Sequence, residues 1–323
     1  MTETVLSVKE LRTWFPVRRF FGKSLYVKAV DGVSLNIDAG EALAIVGESG
    51  SGKTTLGKTC LMLVRPYSGR IIYRGKDITD LNSNDLLWYR KEAQIIYQDP
   101  FSSLSPFFTI RRILEEPLII HKIASADERL AMIERAMEDV RLTPIEEFSD
   151  KYPHMLSGGQ RQRVAIARAL IMKPKFVVAD EPVSMLDASV RVEILYLLRQ
   201  LQEKYGISFM YITHDVATVK YFSERIAIMY GGKVVEQGPI REVIKEPLHP
   251  YTQALIDAIP DPDPKNRFNI RKVPAGEAPD PINPPTGCRY NPRCPWVKDR
   301  CIKEGPKLFE VEAKREVACF LYT

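Results

Sequence analysis

An α/β fold built on a parallel sheet is what this sequence predicts, and three observations carry the prediction. Residues 41–60 (EALAIVGESGSGKTTLGKTC) read as a buried strand, a glycine-rich turn and a helix, which is one βα unit. Continuous apolar runs of strand length recur at 93–98 (AQIIYQ), 176–180 (FVVAD), 208–213 (SFMYIT) and 225–230 (RIAIMY), as expected where a parallel sheet is covered on both faces. Helical patterns alternate with those runs, the arrangement that crossover connections produce. A chain of this size corresponds to about two domains. Its composition, 45% hydrophobic and 27% charged, is ordinary for a globular protein and excludes a mostly disordered or fibrous one.

The alternation breaks in two places. From 109 to 155 no strand is convincing, and stretches such as DERLAMIERAMEDVRL keep helical spacing, so an inserted helical subdomain is expected over about 100–160. Gly231-Gly232 supplies a hairpin-like turn between RIAIMY and KVVEQG, closing the core near Gly238. Beyond it prolines recur from 247 to 295, which predicts an extended, turn-rich segment held by local constraints more than by a large core.

Charge and termini narrow the classes. The 46 Lys and Arg against 41 Asp and Glu leave a net +5 with no basic block, a poor footprint for nucleic acid. No run approaches the roughly 18 consecutive apolar residues of a membrane span. The start, MTETVLSVKELRTW, lacks the basic-then-apolar layout of a secretory signal, so a soluble, cytoplasmic chain is expected.

The stretch from Gly47 to Thr54 (GESGSGKT) fulfils G-x-x-x-x-G-K-S/T between a strand and a helix. Gly47, Gly50 and Gly52, with Ser49 and Ser51 between them, let backbone N–H groups wrap a triphosphate. Lys53 sets a point charge on the β- and γ-phosphates, Thr54 offers a hydroxyl to Mg²⁺, and Thr55 stands at the α-phosphate. The buried run FVVAD ends in Asp180-Glu181, and the carboxyl end of a strand faces the ligand crevice of an open α/β sheet. Asp180 would reach Mg²⁺ and Glu181 would orient the attacking water. Ser157-Gly158-Gly159-Gln160 opens a helix, RQRVAIARALI, whose unpaired N–H groups and dipole form a second anion site. Two phosphate cradles in one chain suggest that two chains share each nucleotide.

At this point the chain resembles the ATP-binding subunits of ABC transporters. LSGGQ is similar to the family signature, Gln98 to the Q-loop glutamine, Ser184-Met185-Leu186-Asp187 to the D-loop, and His214 in YITHD to the switch histidine, all in the family's order. The resemblance implies a P-loop NTPase (RecA-like) core with an antiparallel β subdomain and the inserted helical subdomain. It implies ATP and Mg²⁺ as ligands, with Thr54, Gln98 and Asp180 at the metal and Glu181, His214 and Gln98 as the catalytic set. An aromatic stacking on adenine is expected among Phe20, Phe21 and Tyr26, with Phe20 or Phe21 favoured. HPYTQAL at 249–255, QDPFSSLSP after Tyr97 and NPPTGCRYNPRCP at 283–295 resemble the dipeptide/oligopeptide (peptide/nickel) importer branch. That implies a nucleotide-binding domain over 1–240 and a C-terminal extension over 241–323. The implied partners are a second ABC ATPase (a related chain or a second copy), two transmembrane permease subunits and an extracytoplasmic substrate-binding protein, with the chain at the cytoplasmic face of the membrane. The function implied is ATP-driven import of peptides, with nickel or oligosaccharide as other cargoes of the branch.

Of the five cysteines, Cys60 sits in the first helix and is expected as a packed thiol, while Cys288, Cys294, Cys301 and Cys319 crowd the C-terminal end. Five, six and seventeen residues separate the latter four, without the tight pair usual for zinc. Four thiolates with wide spacing suit a four-iron, four-sulfur (4Fe–4S) cluster stapling a proline-rich segment, and the resemblance adds to that expectation. Zinc and unligated thiols are the alternatives.

Overall fold

The computed structural model describes residues 3–17, 24–123, 125–259 and 276–323, and the chain divides into two compact units. One comprises 1–5, 37–42 and 80–211; the other comprises 6–36, 43–79 and 212–323. The strands expected at 176–180, 208–213 and 225–230 have those bounds.

In the first unit, strands Ala93–Ile96 and Phe176–Asp180 pair in parallel, with Ala93 opposite Phe176 and Ile96 opposite Ala179. Phe176, Val177, Val178 and Ala179 are fully buried, which is why the run carries no alternation. The strand expected to reach Gln98 ends at Ile96. Three residues later the Asp99 side chain accepts from the Phe101 N–H and Pro100 takes the first helical position, starting the short helix Pro100–Ser103. The helical insertion follows as Ile110–Ile120, Ala126–Asp139 and Ile145–Ser149. A reciprocal cap between Ser125 and Glu128 opens the second of these, and Ile133, Ala136 and Met137 give it one buried face. Both longer helices pack on Gly158–Leu170. That helix is buried on most of its circumference from Val164 to Leu170, so its alanines let neighbours approach closely. The helix Ala188–Tyr205 stops at Gly206, whose φ of 62° supplies the left-handed terminus.

A four-stranded sheet, formed mostly by residues of the second unit, has the order Leu25–Asp38, Thr4–Val17, Ser68–Tyr73, Lys76–Asp77. The same unit holds most of strand Ala42–Val46, which runs parallel to Arg225–Tyr230 with Leu43 opposite Arg225 and Val46 opposite Ile228. Arg225–Tyr230 turns at Gly231-Gly232 into the antiparallel strand Lys233–Pro239. Here the structure goes beyond the expectation of a tail held by local constraints. Arg315–Val317 pairs with Lys233–Pro239, and Phe309–Glu312 pairs with Arg315–Val317, so the C-terminal residues lengthen the sheet. An ion pair locks the junction: Arg315 lies 3.2 Å from Glu236, with both side chains essentially out of solvent. Removing two charges from water costs several kcal/mol per ion unless the remaining polar atoms are satisfied. The Glu236 carboxylate also accepts from the Leu248 and His249 N–H groups at 3.0 and 2.9 Å, and Arg315 also donates to the Glu246 carbonyl. No helix among the described residues is long and apolar enough to cross a membrane.

Candidate nucleotide site

In the second unit the fully buried strand Ala42–Val46 delivers the chain into the glycine-rich turn, and Gly52 starts the helix Lys53–Cys60. Both ends of the turn lie against backbone. A Cβ on Gly47 would sit 2.1 Å from the Met229 carbonyl oxygen, and one on Gly52, whose φ is 99°, 2.0 Å from that of Ala29. Gly50 has a φ of 77° and nothing within 4 Å of a notional Cβ, so the crest of the loop is open. Left-handed residues at 50 and 52 turn successive N–H groups to one side, the geometry of an anion nest. The Ser51 hydroxyl is buried and lacks a hydrogen-bond partner. Lys53 is buried and folds back over its own loop, donating 2.8 Å bonds to the carbonyls of Gly47 and Glu48. Ser49 is exposed at the crest, and Thr54 and Thr55 are half-buried in the first helical turn. Backbone donors, a cation and a helix N-terminus in one stretch fit a triphosphate with its Mg²⁺. His214 follows the strand Ser208–Thr213 and is exposed.

The first unit carries the carboxylates. Asp180 is buried at the end of its strand, and Glu181 follows with a φ of 46°. A non-glycine residue in that region costs on the order of 1 kcal/mol or more and is found where surroundings enforce it. Gln98 donates through Nε2 to Glu181 Oε2 at 3.0 Å, so two of the expected catalytic residues meet directly. Ser157 caps Gly158–Leu170: its hydroxyl accepts from the Gln160 N–H, and Gln160 Oε1 accepts from the Ser157 N–H at 3.0 Å. The cap leaves Gly158 and Gly159 at the tip, and Ser157 is exposed. Arg161 donates twice to the Leu156 carbonyl, at 2.9 and 2.6 Å, tying the tip to its own helix. Asp187 is exposed at the start of Ala188–Tyr205.

Phe20 and Phe21 lie outside the described residues. Tyr26 packs in an aromatic group with Trp14 and Tyr67, at centroid distances of 6.1 and 5.6 Å.

Sequence reasoning missed one set of contacts. Within the second unit the C-terminal segment reaches the glycine-rich turn. Arg293 Nη1 lies 3.1 Å from Glu48 Oε2, and the Tyr251 hydroxyl accepts from the Glu48 N–H at 2.9 Å. His249 starts the helix Pro250–Asp257, its Nδ1 accepting from the Tyr251 N–H at 3.0 Å. The HPYTQAL stretch was the available signal; its local chemistry, a cap followed by proline, is legible, and its distant contact is not.

The metal expectation is corrected. Cys288, Cys294, Cys301 and Cys319 do line one cavity, together with Tyr290 and Trp296, but its volume is only about 20 Å³. That is room for about one water and not for a four-iron, four-sulfur core. Among the described residues no three His, Cys, Asp or Glu side chains are placed to hold one metal ion. Burial pushes the Cys288 thiol up to about 11 and raises Cys294 and Cys319. Cys60 is buried and its thiol is raised to about 12, in keeping with a packed side chain.

A phosphate loop with its lysine in place, in a chain that also carries a capped LSGGQ tip, defines a P-loop ATPase of the ABC type. Residues 30–184 match the family described as ABC transporter, and residues 235–301 the one described as oligopeptide/dipeptide transporter, C-terminal region. An oligopeptide transport ATP-binding protein of Bacillus subtilis is 42% identical over 327 residues, covering 99% of this chain and 98% of the relative. A dipeptide transport ATP-binding protein of Haemophilus influenzae is 44% identical over 317 residues, covering 98% and 96%. Among solved structures, an ATP-binding cassette captured as a post-hydrolysis dimer with ADP and phosphate superimposes with a TM-score of 0.64 at 31% identity, over 73% of this chain and 99% of that one. The chain therefore belongs to the ABC transporter family, as an ATP-binding subunit with the C-terminal region of the oligopeptide/dipeptide branch. It is an ATP-hydrolysing transport ATPase and binds ATP and Mg²⁺.

Proposed function

We propose that this chain is the ATP-hydrolysing subunit that powers import of dipeptides or oligopeptides through a membrane ABC transporter. The observation that carries the cargo class is the match of 235–301 to the oligopeptide/dipeptide C-terminal region, joined to relatives covered almost end to end. Backbone N–H groups of 47–55, including those of Ser49, Ser51 and Thr55, bind the phosphates, and Lys53 leaves its loop carbonyls to neutralise the β- and γ-phosphates. Magnesium, when bound, shields phosphate charge, and Thr54, Asp180 and Gln98 are the residues of this chain to hold it. Glu181 orients and polarises the attacking water with Gln98 hydrogen-bonded beside it, and His214 contacts the γ-phosphate. Ser157, Gly158, Gly159 and Gln160, with Asp187, serve a nucleotide bound to a second ATPase subunit, in a sandwich dimer.

The chain sits peripherally at the cytoplasmic face of the membrane, under two permease subunits supplied by an extracytoplasmic binding protein. An open groove of about 580 Å³ in the first unit, bordered by Tyr97, Ser102, Glu116, Ile120, His121 and Arg168, is the place for a permease's cytoplasmic helix. The exposed Phe101 and Phe107 add apolar surface on the same stretch of chain. The test is reconstitution with the permease and binding-protein products of neighbouring genes, followed by ATP-driven uptake of labelled di- and oligopeptides into vesicles. Uptake of nickel or an oligosaccharide in place of peptide would reassign the cargo while leaving the ATPase intact.

A further inference from the structure

The two ends of the phosphate loop are walled by backbone, at Gly47 against Met229 and at Gly52 against Ala29, while nothing packs on Gly50. The shape of the crest must therefore come from hydrogen bonds, and they converge on Glu48. Its carbonyl accepts from Lys53 Nζ at 2.8 Å and from the Ser51 N–H at 3.2 Å. Its N–H donates to the Tyr251 hydroxyl at 2.9 Å, and its carboxylate takes Arg293 Nη1 at 3.1 and 3.3 Å. Two of these partners come from the C-terminal segment, more than 200 residues along the chain.

Both partners are fixed before they meet the loop. The Arg293 side chain is only 9% exposed; its guanidinium stands 5.8 Å from the ring centroids of Tyr230 and Tyr290 and bonds the Tyr230 hydroxyl. The rings of Tyr230, Tyr251 and Tyr290 pack on one another at 4.5 to 5.5 Å, and His249 holds the Tyr251 backbone. A guanidinium oriented by aromatic faces loses little freedom when it pairs with a carboxylate. It also cancels a negative charge on a loop whose ligand is a polyanion. Order and charge thus act with the same sign.

We propose that Arg293 and Tyr251 are positioning residues of the phosphate loop, through which the C-terminal segment sets the loop's affinity for ATP. The proposal rests on the reading of 47–55 as the phosphate-binding stretch, so the experiment tests both. Mg-ATP affinity of the full chain is measured by calorimetry, and KM and kcat are measured in the assembled transporter. Lys53→Ala checks the foundation: it must abolish binding, and wild-type affinity there would overturn the loop reading and the proposal with it. Arg293→Ala is expected to weaken ATP binding and raise KM by about fivefold, with kcat at saturating ATP little changed. Tyr251→Phe, which removes one oxygen and leaves the ring packing, is expected to weaken binding by about two- to threefold. The charge exchange Glu48→Arg with Arg293→Glu should recover most of the affinity lost in Arg293→Glu alone. A packing role alone would not move KM without kcat and would not be rescued by exchanging charges. Wild-type affinity in Arg293→Ala alongside a working Lys53→Ala control, or an exchange no better than Arg293→Glu alone, would overturn the proposal.

Discussion

The phosphate loop at 47–55 and the LSGGQ tip at 156–160 are both proposed to present backbone N–H groups to phosphate, and they are held in opposite ways. The loop is fixed from a distance, by carbonyls at Ala29 and Met229 and by side chains at Tyr251 and Arg293. The tip is fixed mainly from within, by the Ser157–Gln160 exchange and by Arg161 folding back on Leu156, with Phe101 against Arg161 and Val190 against Gly159. Glycine-rich backbone has no strong conformational preference, so a turn that must aim several donors at once needs outside walls. A helix N-terminus arrives with its donors already aligned, and a cap of four residues completes it. The first kind of site depends on remote chain; the second travels with its helix.

Breaking the remote support has the largest expected effect. Arg315→Ala leaves Glu236 buried and unpaired where the C-terminal strands join the sheet, and the expected loss is about 3–5 kcal/mol of stability. The urea midpoint, read alongside ATP affinity, checks it. A loss below about 1 kcal/mol would show that the loop's unit does not depend on its distant strands.

The next test sits in the other unit. Glu181→Gln keeps the strand end and the neighbouring Gln98 but removes the carboxylate proposed to polarise water, so steady-state ATPase of the assembled transporter should fall by about 10² or more. Mg-ATP binding should persist, because the phosphate loop is untouched. Turnover at the wild-type rate would remove Glu181 from its role.

Ser157→Arg sharpens the contrast directly. Its cap is local and its tip is proposed to serve another chain, so nucleotide-driven dimerisation, followed by light scattering, should be lost while the isolated chain binds ATP as before. Loss of binding by the isolated chain would mean the tip is part of its own chain's site.

The last test concerns pH. Burial lowers the His249 pKa from 6.5 to about 3. The unfolded chain therefore takes up the proton first, and stability contributed by the neutral ring is full above about 6.5 and lost progressively as pH falls toward 3. The slope for one such group is at most about 1.4 kcal/mol per pH unit. His249→Gln should flatten the dependence of the denaturation midpoint over pH 4–6; an unchanged slope would place the acid sensitivity elsewhere.

What the sequence disclosed follows the same division. The strand ending in Asp180-Glu181 and the capped tip are contiguous stretches, so residue type and spacing contain nearly all of their geometry, whereas the phosphate loop is legible as a motif and not in what holds it. The contacts of Glu48 with Tyr251 and Arg293 join single residues with no periodicity to mark them, and the pairing of Arg315 with Glu236 is equally silent. The four C-terminal cysteines misled for a related reason. Spacing shows that thiols can come together, and they do, but the volume they enclose is set by Tyr290, Trp296 and Phe320 packing around them. Strand Ala93–Ile96 came out two residues short because the cap and proline at Asp99-Pro100 redirect the chain into a helix.

The Gly231-Gly232 turn bears on how this chain can be labelled or spliced. Hairpin tips are ordinarily the places where a reporter or an affinity tag can be inserted without harm. Here the Gly232 N–H donates to the Ser51 carbonyl at 3.0 Å, its own carbonyl accepts from the Asp31 N–H at 2.8 Å, and Gly231 faces Pro279. Added residues at this tip would pull on the phosphate loop and on the C-terminal segment together. The turn at Arg74-Gly75 is different: both residues are exposed, and nothing lies within 4 Å of a side chain built on Gly75. A fluorophore or epitope belongs there, where the chain can accept it and still report on the nucleotide.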